Sequence, residues 1–306
     1  MCGRWYTISV LLFWLLTMSW LISRKVLPPL LVGEPPSPQK IVAARRREPP
    51  VGWHIYLSDL RGGSSLDRRL GWAISSLRAS PDGGAVLCGR LHLDDLPLAQ
   101  MVPGWLHGVL KLVDQPVGSL KMEIVSTAAI GPQGRLSHFE SSVRIGPLRE
   151  AIRLTGTVDG TRLALSVRSG DFTYRSEPYL PADALLGDSL SPQTQMPGLH
   201  LGQRWTVPSY SPLRPPNNPL EILQATVETN ESLVWNNVTE DTLLVIYRSD
   251  SGFTFGRSPP PRGKMWVLPD GTVLQQEVTF LDSRLTFQRM TKERAEELAK
   301  SNTEGR

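Results

Sequence analysis

Three times the chain interrupts a strand-like run with the same punctuation: SPDGG at 80–84, GPQGR at 131–135 and LPDGT at 268–272. Proline presets φ for the first central position of a type I turn. Asp or Gln suits the second, and Gly accepts the left-handed conformation that closes a G1 bulge. The product is a three-residue hairpin loop. For the last of these, the loop pairs Leu268 with Thr272, Val267 with Val273 and Trp266 with Leu274. Lys264 and Glu277 then become ordinary strand side chains rather than members of a catalytic cluster. TVDGT at 157–161 lacks the proline, so a two-residue turn at Asp159-Gly160 is natural there. That register sets Gly156, Leu154 and Ile152 opposite Leu163, Leu165 and Val167, and it leaves the polar residues on the other face. One apolar and one polar face is the signature of an antiparallel sheet with one wet side.

Further strand-like runs are WHIYLSD (53–59), LGWAISSLR (70–78), AVLCGRLHL (85–93), SLKMEIVST (119–127) and RLSHFESSVRI (135–145). They continue with LEILQATVE (220–228), TLLVIYR (242–248) and RLTFQR (284–289). Turn signals about ten residues apart predict a mainly β fold, an antiparallel meander or open half-barrel. The prolines of MPGLHLGQRWTVPSYSPLRPP (196–216) mark an irregular passage, which suggests two β units, 51–195 and 196–290. PADALLGDSL (181–190) reads as a short helix between them. KERAEELAK (292–300) reads as a C-terminal helix within 291–306, capped by Thr291 with Glu293 in its first turn. The last six residues should fray.

Residues 6–22, YTISVLLFWLLTMSWLI, contain no charge. As a helix they extend about 26 Å, near a hydrocarbon thickness of ~30 Å. Trp5, Tyr6 and Trp20 suit the interface, with Arg4 before the run and Arg24 and Lys25 after it. No A-x-A cleavage pattern follows, so an uncleaved N-terminal transmembrane anchor over residues 1–27 is expected rather than a signal peptide. Residues 28–50 are rich in Pro and contain ARRRE at 44–48, which reads as a solvated linker close to lipid head groups. The basic residues after the run favour a cytoplasmic domain by the positive-inside rule, whereas the short basic N-terminal tail pulls the other way.

A net charge of +4 without a basic face interleaved with aromatics excludes nucleic acid as a partner. The two cysteines, Cys2 and Cys88, flank the proposed anchor, so no disulfide framework is expected. Cys88 and His92 lie four apart on a strand, about 13 Å, too far for a thiolate–imidazole pair. His92-Leu-Asp-Asp is a loop following a strand before it is a metal site. No HExxH, P-loop, GxSxG or CxxC spacing occurs, and no motif implies a cofactor. Glu140 and Glu277 fall in different hairpins, and His54, His107, His138 and His200 are scattered. Asn230-Glu-Ser and Asn237-Val-Thr match the glycosylation sequon.

GLHLGQRWTVPSYSPL, VLPDGTVLQQEV and LTFQRMTKERAEELA, with the earlier SLKMEIVSTAAIGPQGRLSHFESSVR, resemble the β-rich region upstream of transglutaminase-like domains in bacterial envelope proteins. The likeness covers roughly residues 70–298. It rests on a Gly-Gln before a strand, a Trp-x-x-Pro-Asp-Gly turn and a Phe-Glu-Ser strand. No cysteine follows Cys88, so the Cys-His-Asp machinery of those domains is not carried over. A second likeness, to the curved sheets of lipoprotein-carrier-like periplasmic proteins, implies a sheet around an apolar concavity. In a bacterial source the two sequons would carry no glycan. The resemblance implies an extracytoplasmic domain.

The expected function is therefore a membrane-anchored, noncatalytic β module that binds a protein or envelope component, attached through residues 6–22. An alternative is a carrier or sensor of a lipid-like ligand in the concave sheet, with Trp205, Trp235 and Trp266 as candidate lining residues. An enzyme of unrecognised type is a second alternative.

Overall fold

The computed structural model describes residues 2–22, 36, 38–46, 48–59, 68–96, 120–146, 148–179, 187–188, 191–210, 220–249, 260–280 and 283–304. Two helices come first, α1 (Cys2–Leu21) and α2 (Pro38–Arg45). They are followed by β1 (Val51–Asp59), β2 (Arg68–Ala79), β3 (Ala85–Leu96), β4 (Leu120–Ile130), β5 (Leu136–Ile145), β6 (Leu148–Asp159), β7 (Arg162–Ser169) and β8 (Phe172–Ser176). Then come β9 (Gly187–Asp188), β10 (Arg204–Tyr210), β11 (Leu220–Trp235), β12 (Val238–Ser249), β13 (Pro261–Val267), β14 (Val273–Phe280) and β15 (Ser283–Arg289). Helix α3 (Lys292–Glu304) closes the order.

Among the described residues all the strands belong to one sheet of 15, ordered β8-β7-β6-β5-β4-β3-β2-β1-β15-β14-β13-β12-β11-β10-β9. Every pairing is antiparallel except the short parallel contact of β9 with β10. The mainly β, open antiparallel architecture is the expected one. The two arms are not separate sheets: β1 pairs with β2 on one side and with β15 on the other, so the sheet runs unbroken. Gly187 and Asp188 are extended where a helix was expected over 181–190, and the rest of that segment lies outside the described residues.

The three Pro-x-Gly loops form as the turn chemistry requires. Gly83, Gly134 and Gly271 have φ of 81°, 75° and 93°. In the last loop Leu268 N donates to Thr272 O (2.8 Å) and Gly271 N to Leu268 O (2.9 Å). Val267 faces Val273 as expected, but Trp266 pairs with Gln275, because a bulge at Leu274 shifts the register. The β6–β7 hairpin is also displaced. Asp159 pairs with Arg162, so Gly160 and Thr161 are the central residues, with Gly160 at φ 60°. A slip of two residues keeps every side chain on its expected face and adds the Val158–Leu163 pair. Gly156 lies beneath Phe139, where a Cβ would come within 2.1 Å of the ring.

A further hairpin went unread. β11 and β12 turn at Asn236-Asn237, with φ of 49° and 63°, the left-handed region that Asn tolerates. Asn237 of the second sequon is thus a turn residue. The edge strand β8 was also unread.

The inner face of the sheet carries one continuous hydrophobic cluster. It includes Trp53, Ile55, Phe139, Ile152, Leu163, Trp205, Val245, Met265 and Phe287. The outer face of β3–β6 carries ion pairs, among them Arg90–Glu123 (2.6 Å), Arg144–Glu123 (3.2 Å) and Arg153–Glu140 (2.6 Å). α3 packs on the outer side of β1. Ala295 is buried there, and a Cβ on Gly52 would come within 2.8 Å of Met290 Sδ. The Thr291 hydroxyl accepts from Arg294 N at 3.5 Å, as expected of a cap, and the helix runs on to Glu304 rather than fraying after Lys300.

Among the described residues no helix is long and apolar enough to cross a membrane. The spanning anchor expected over residues 6–22 is therefore not supported as a span. Thr7, Ser9, Thr17 and Ser19 dilute the hydropathy of this helix, and the Thr17 hydroxyl turns back onto Phe13 O at 2.8 Å. The segment is nonetheless helical, about 30 Å long over α1 at ~1.5 Å per residue. Every side chain from Tyr6 to Ile22 is exposed.

Candidate functional site

The solvated linker expected over 28–50 is, in its described part, a seated helix. Pro38 takes the first helical position, where its missing N–H costs nothing, and Arg45 ends the last turn, where the helix dipole favours a cation. α2 then lies over the turns at one end of the sheet. Gln39 Nε2 donates to Gln133 O of the β4–β5 turn (2.9 Å). Arg46 donates to Gly83 O (2.7 Å) and Gly84 O (3.2 Å) of the β2–β3 turn.

Residues 191–196 form a strap across the inner face. Val273 N donates to Thr194 O (3.1 Å), Met196 N donates to Gly271 O (2.7 Å), and Gln193 N donates to Gln276 Oε1 (3.0 Å). Strap and helix meet at a buried polar cluster. The Arg45 side chain is only 6% exposed, and it donates to the hydroxyls of Thr194 and Ser75. Glu48 Oε2 lies 3.6 Å from Arg45, and Glu48 Oε1 accepts from Arg289 (3.1 Å) and from Gln195. Arg289 also donates to Thr194 O (2.9 Å) and Val273 O (3.2 Å). Burial pulls the Arg45 guanidinium down to about 10. Glu48 opposes that fall, and Arg289 adds to it. Two guanidinium groups therefore share one carboxylate in a poorly solvated place. Such a group costs desolvation and fixes geometry.

Two cavities flank the strap. The first, about 130 Å³, is walled by the polar Arg45, Ser75, Ser126 and Thr194 and by the apolar Ile41, Leu87, Leu136 and Phe139. The second, about 80 Å³, is walled by Trp205, Val207, Leu223, Tyr247 and Met265. Burial pushes the Tyr247 phenol up. Clefts that enclose drug-sized ligands run to ~300 Å³ or more. Neither of these two cavities reaches that volume among the described residues.

The three candidate tryptophans do not converge. Trp205 is 8% exposed and lines the second cavity. Trp266 is buried in a separate cluster with Leu244 and Ile246, with Lys264 Nζ 6.0 Å from its ring centre. Trp235 donates its indole N–H to Arg289 O (2.8 Å) and so ties the β11–β12 turn to β15.

On the outer face His92 stacks on Trp72 (5.6 Å between centroids), and its Nε2 lies 3.2 Å from Asp94 Oδ1. His92 is thus engaged by the aromatic ring and the aspartate beside it. Among the described residues no group of three His, Cys, Asp or Glu side chains could hold a metal. Glu140 pairs with Arg153 and Glu277 with Arg284, on separate strands. His107 lies outside the described residues.

Sequence reading missed Arg45, Glu48, Thr194, Ser75 and Arg289. One signal was available. In RLTFQR, Arg289 falls on the same alternation as Leu285 and Phe287, so an inward arginine was legible.

No family model matches the chain, and no curated protein matches it. Among solved structures, it is similar to a β-barrel-like protein of the domain of unknown function DUF1849 from Brucella abortus. The TM-score is 0.45 with 10% identity, covering 79% of this chain and 95% of that one. It is also similar to a DUF1089 family protein from Pseudomonas aeruginosa, with TM-score 0.33 and 18% identity, covering 70% of this chain and 92% of that one. Neither name carries a function, and likeness at this level transfers none. No catalytic family is indicated.

Proposed function

We propose that the chain is a membrane-attached, noncatalytic β module that binds a protein or another envelope component on the extracytoplasmic side. The observation that carries this reading is α1. Thirteen large apolar side chains between Tyr6 and Ile22 are exposed. Burying such a side chain is worth ~1.5 kcal/mol or more, so together they represent on the order of 20 kcal/mol of unrealised burial. That exceeds the ~5–15 kcal/mol net stability of a domain, so they need an apolar surrounding. The cations Arg4 before the segment and Arg24 and Lys25 after it suit anionic lipid head groups. The extracytoplasmic side follows from the resemblance to envelope proteins.

Alkaline carbonate washing of membranes tests attachment. The full chain is expected to stay with the lipid, and a variant lacking residues 2–22 to be released. Recovery of the full chain in the soluble fraction would refute the proposal. Protease added to intact spheroplasts tests the side: digestion without lysis is expected, and digestion only after lysis would put the domain inside.

A further inference from the structure

We infer that the first cavity binds a short-chain carboxylate, with the head group at Arg45 and the tail among the apolar residues of β2–β5. Three observations lead there. First, among the described residues the polar cluster at its wall is unbalanced: Arg45 and Arg289 together face the one carboxylate of Glu48. A buried charge excess favours a monoanion, and Arg45, almost fully buried, lines the cavity itself. Second, the wall is rich in hydroxyls. Ser75 and Thr194 accept from Arg45, so each must turn its own proton elsewhere, and Ser126 and Ser191 line the same space. A guanidinium beside several O–H donors is suited to a carboxylate. Third, the next rungs of the same sheet face are apolar: Leu77 pairs with Leu87, and Leu136, Phe139 and Ile41 line the same space. The volume of about 130 Å³ is close to that of a ~150 Å³ protein cavity that admits benzene, which sets the whole ligand at about six non-hydrogen atoms, the size of butanoate. The second cavity has no comparable buried cation. This site does not depend on α1 entering a bilayer, so each reading can fail alone.

The test is calorimetric titration of the full chain in lipid nanodiscs with sodium butanoate at pH 7, with acetate and butylammonium as controls. Butanoate is expected to bind saturably at one site, acetate at least tenfold more weakly, and butylammonium not at all. Arg45→Met should weaken butanoate at least tenfold. Leu136→Trp, which fills the apolar end without touching the polar cluster, should do the same. Absence of saturable butanoate binding in the millimolar range would mean a cavity that holds only water, and would overturn the inference. Equal binding by the wild type and Arg45→Met would also overturn it. Should Arg45→Met fail to fold, Leu136→Trp decides: wild-type affinity in that variant, with a native circular dichroism spectrum, refutes the site.

Discussion

α1 and α2 lie within the first 45 residues, and each has the opposite of the burial its composition suggests. α1 holds the most apolar stretch of the chain, yet its side chains from Tyr6 to Ile22 are all exposed. α2 carries Lys40 and Arg45, opens the ARRRE run, and buries Arg45. The difference lies in what each helix has to pack on. α2 sits over turn carbonyls at Gln133, Gly83 and Gly84, beside the hydroxyls of Ser75 and Thr194 and the carboxylate of Glu48. A cation can be buried where such acceptors are already in place. Every described side chain of α1 is exposed, and its apolar surface asks for a partner rather than supplying one.

The comparison breaks most sharply at Arg45. Arg45→Met should cost about 3 kcal/mol, the lower end expected for breaking a buried pair, because Arg289 still holds Glu48. Urea denaturation of the two proteins reads this directly. A loss below ~0.5 kcal/mol would mean that α2 is a surface ornament after all. The peripheral contacts of the same helix should matter less. Arg46→Ala removes hydrogen bonds to two turn carbonyls and should cost about 1 kcal/mol, and Gln39→Ala about 0.5 kcal/mol. If Gln39→Ala proved the more damaging of the two, the seat would lie at the β4–β5 turn and not at the polar cluster.

These contacts also mark where sequence reasoning reaches and where it stops. The hairpins were legible because each is set by neighbours: Pro269, Asp270 and Gly271 determine their own loop whatever lies around them. Asn236-Asn237 was legible on the same terms and was overlooked. The seat of α2 was not legible: Glu48 stands beside Arg45 in the same run, but Ser75, Thr194 and Arg289, which complete the cluster, come from three distant stretches of chain. Nothing within ten residues of ARRRE announces those partners. The separation of the three tryptophans was not legible for another reason. Met265, Trp266 and Val267 are all buried, so the period of two does not say which of them faces the concavity. Trp266 packs outward with Leu244 and Ile246, whereas Trp205 faces the inner cavity.

α3 offers a third seat, on the outer face, and it should answer to acid. His54 on β1 lies below this helix, and burial, then Arg69, then Arg294 hold its pKa below the ordinary histidine range. The folded state therefore keeps His54 neutral at a pH where the unfolded chain has begun to bind a proton. Above about 6.5, the ordinary histidine value, neither state is charged and the group adds no slope. As pH falls from there towards the folded value, the unfolded chain gains protons first and stability drops. Melting temperatures at pH 7.5 and 5.5 should differ less for His54→Gln than for the wild type. An equal difference in both proteins would assign the acid sensitivity to other groups.

The smallest effect on the fold should come from α1, and there the comparison is sharpest. Leu12→Asn and Leu15→Asn replace exposed apolar side chains, at 55% exposure each, that touch no part of the sheet's core. Surface changes of this kind move stability by no more than ~0.5 kcal/mol, so the urea midpoint of the β domain should stay where it is. The same two changes should weaken retention in carbonate-washed membranes, because each trades an apolar side chain for an amide that a hydrocarbon interior rejects. Arg45→Met should behave in the opposite way, with membrane retention intact and the fold weakened. If the α1 changes destabilised the sheet as much as Arg45→Met does, α1 would be packed on the domain, and the exposed helix would no longer argue for a membrane.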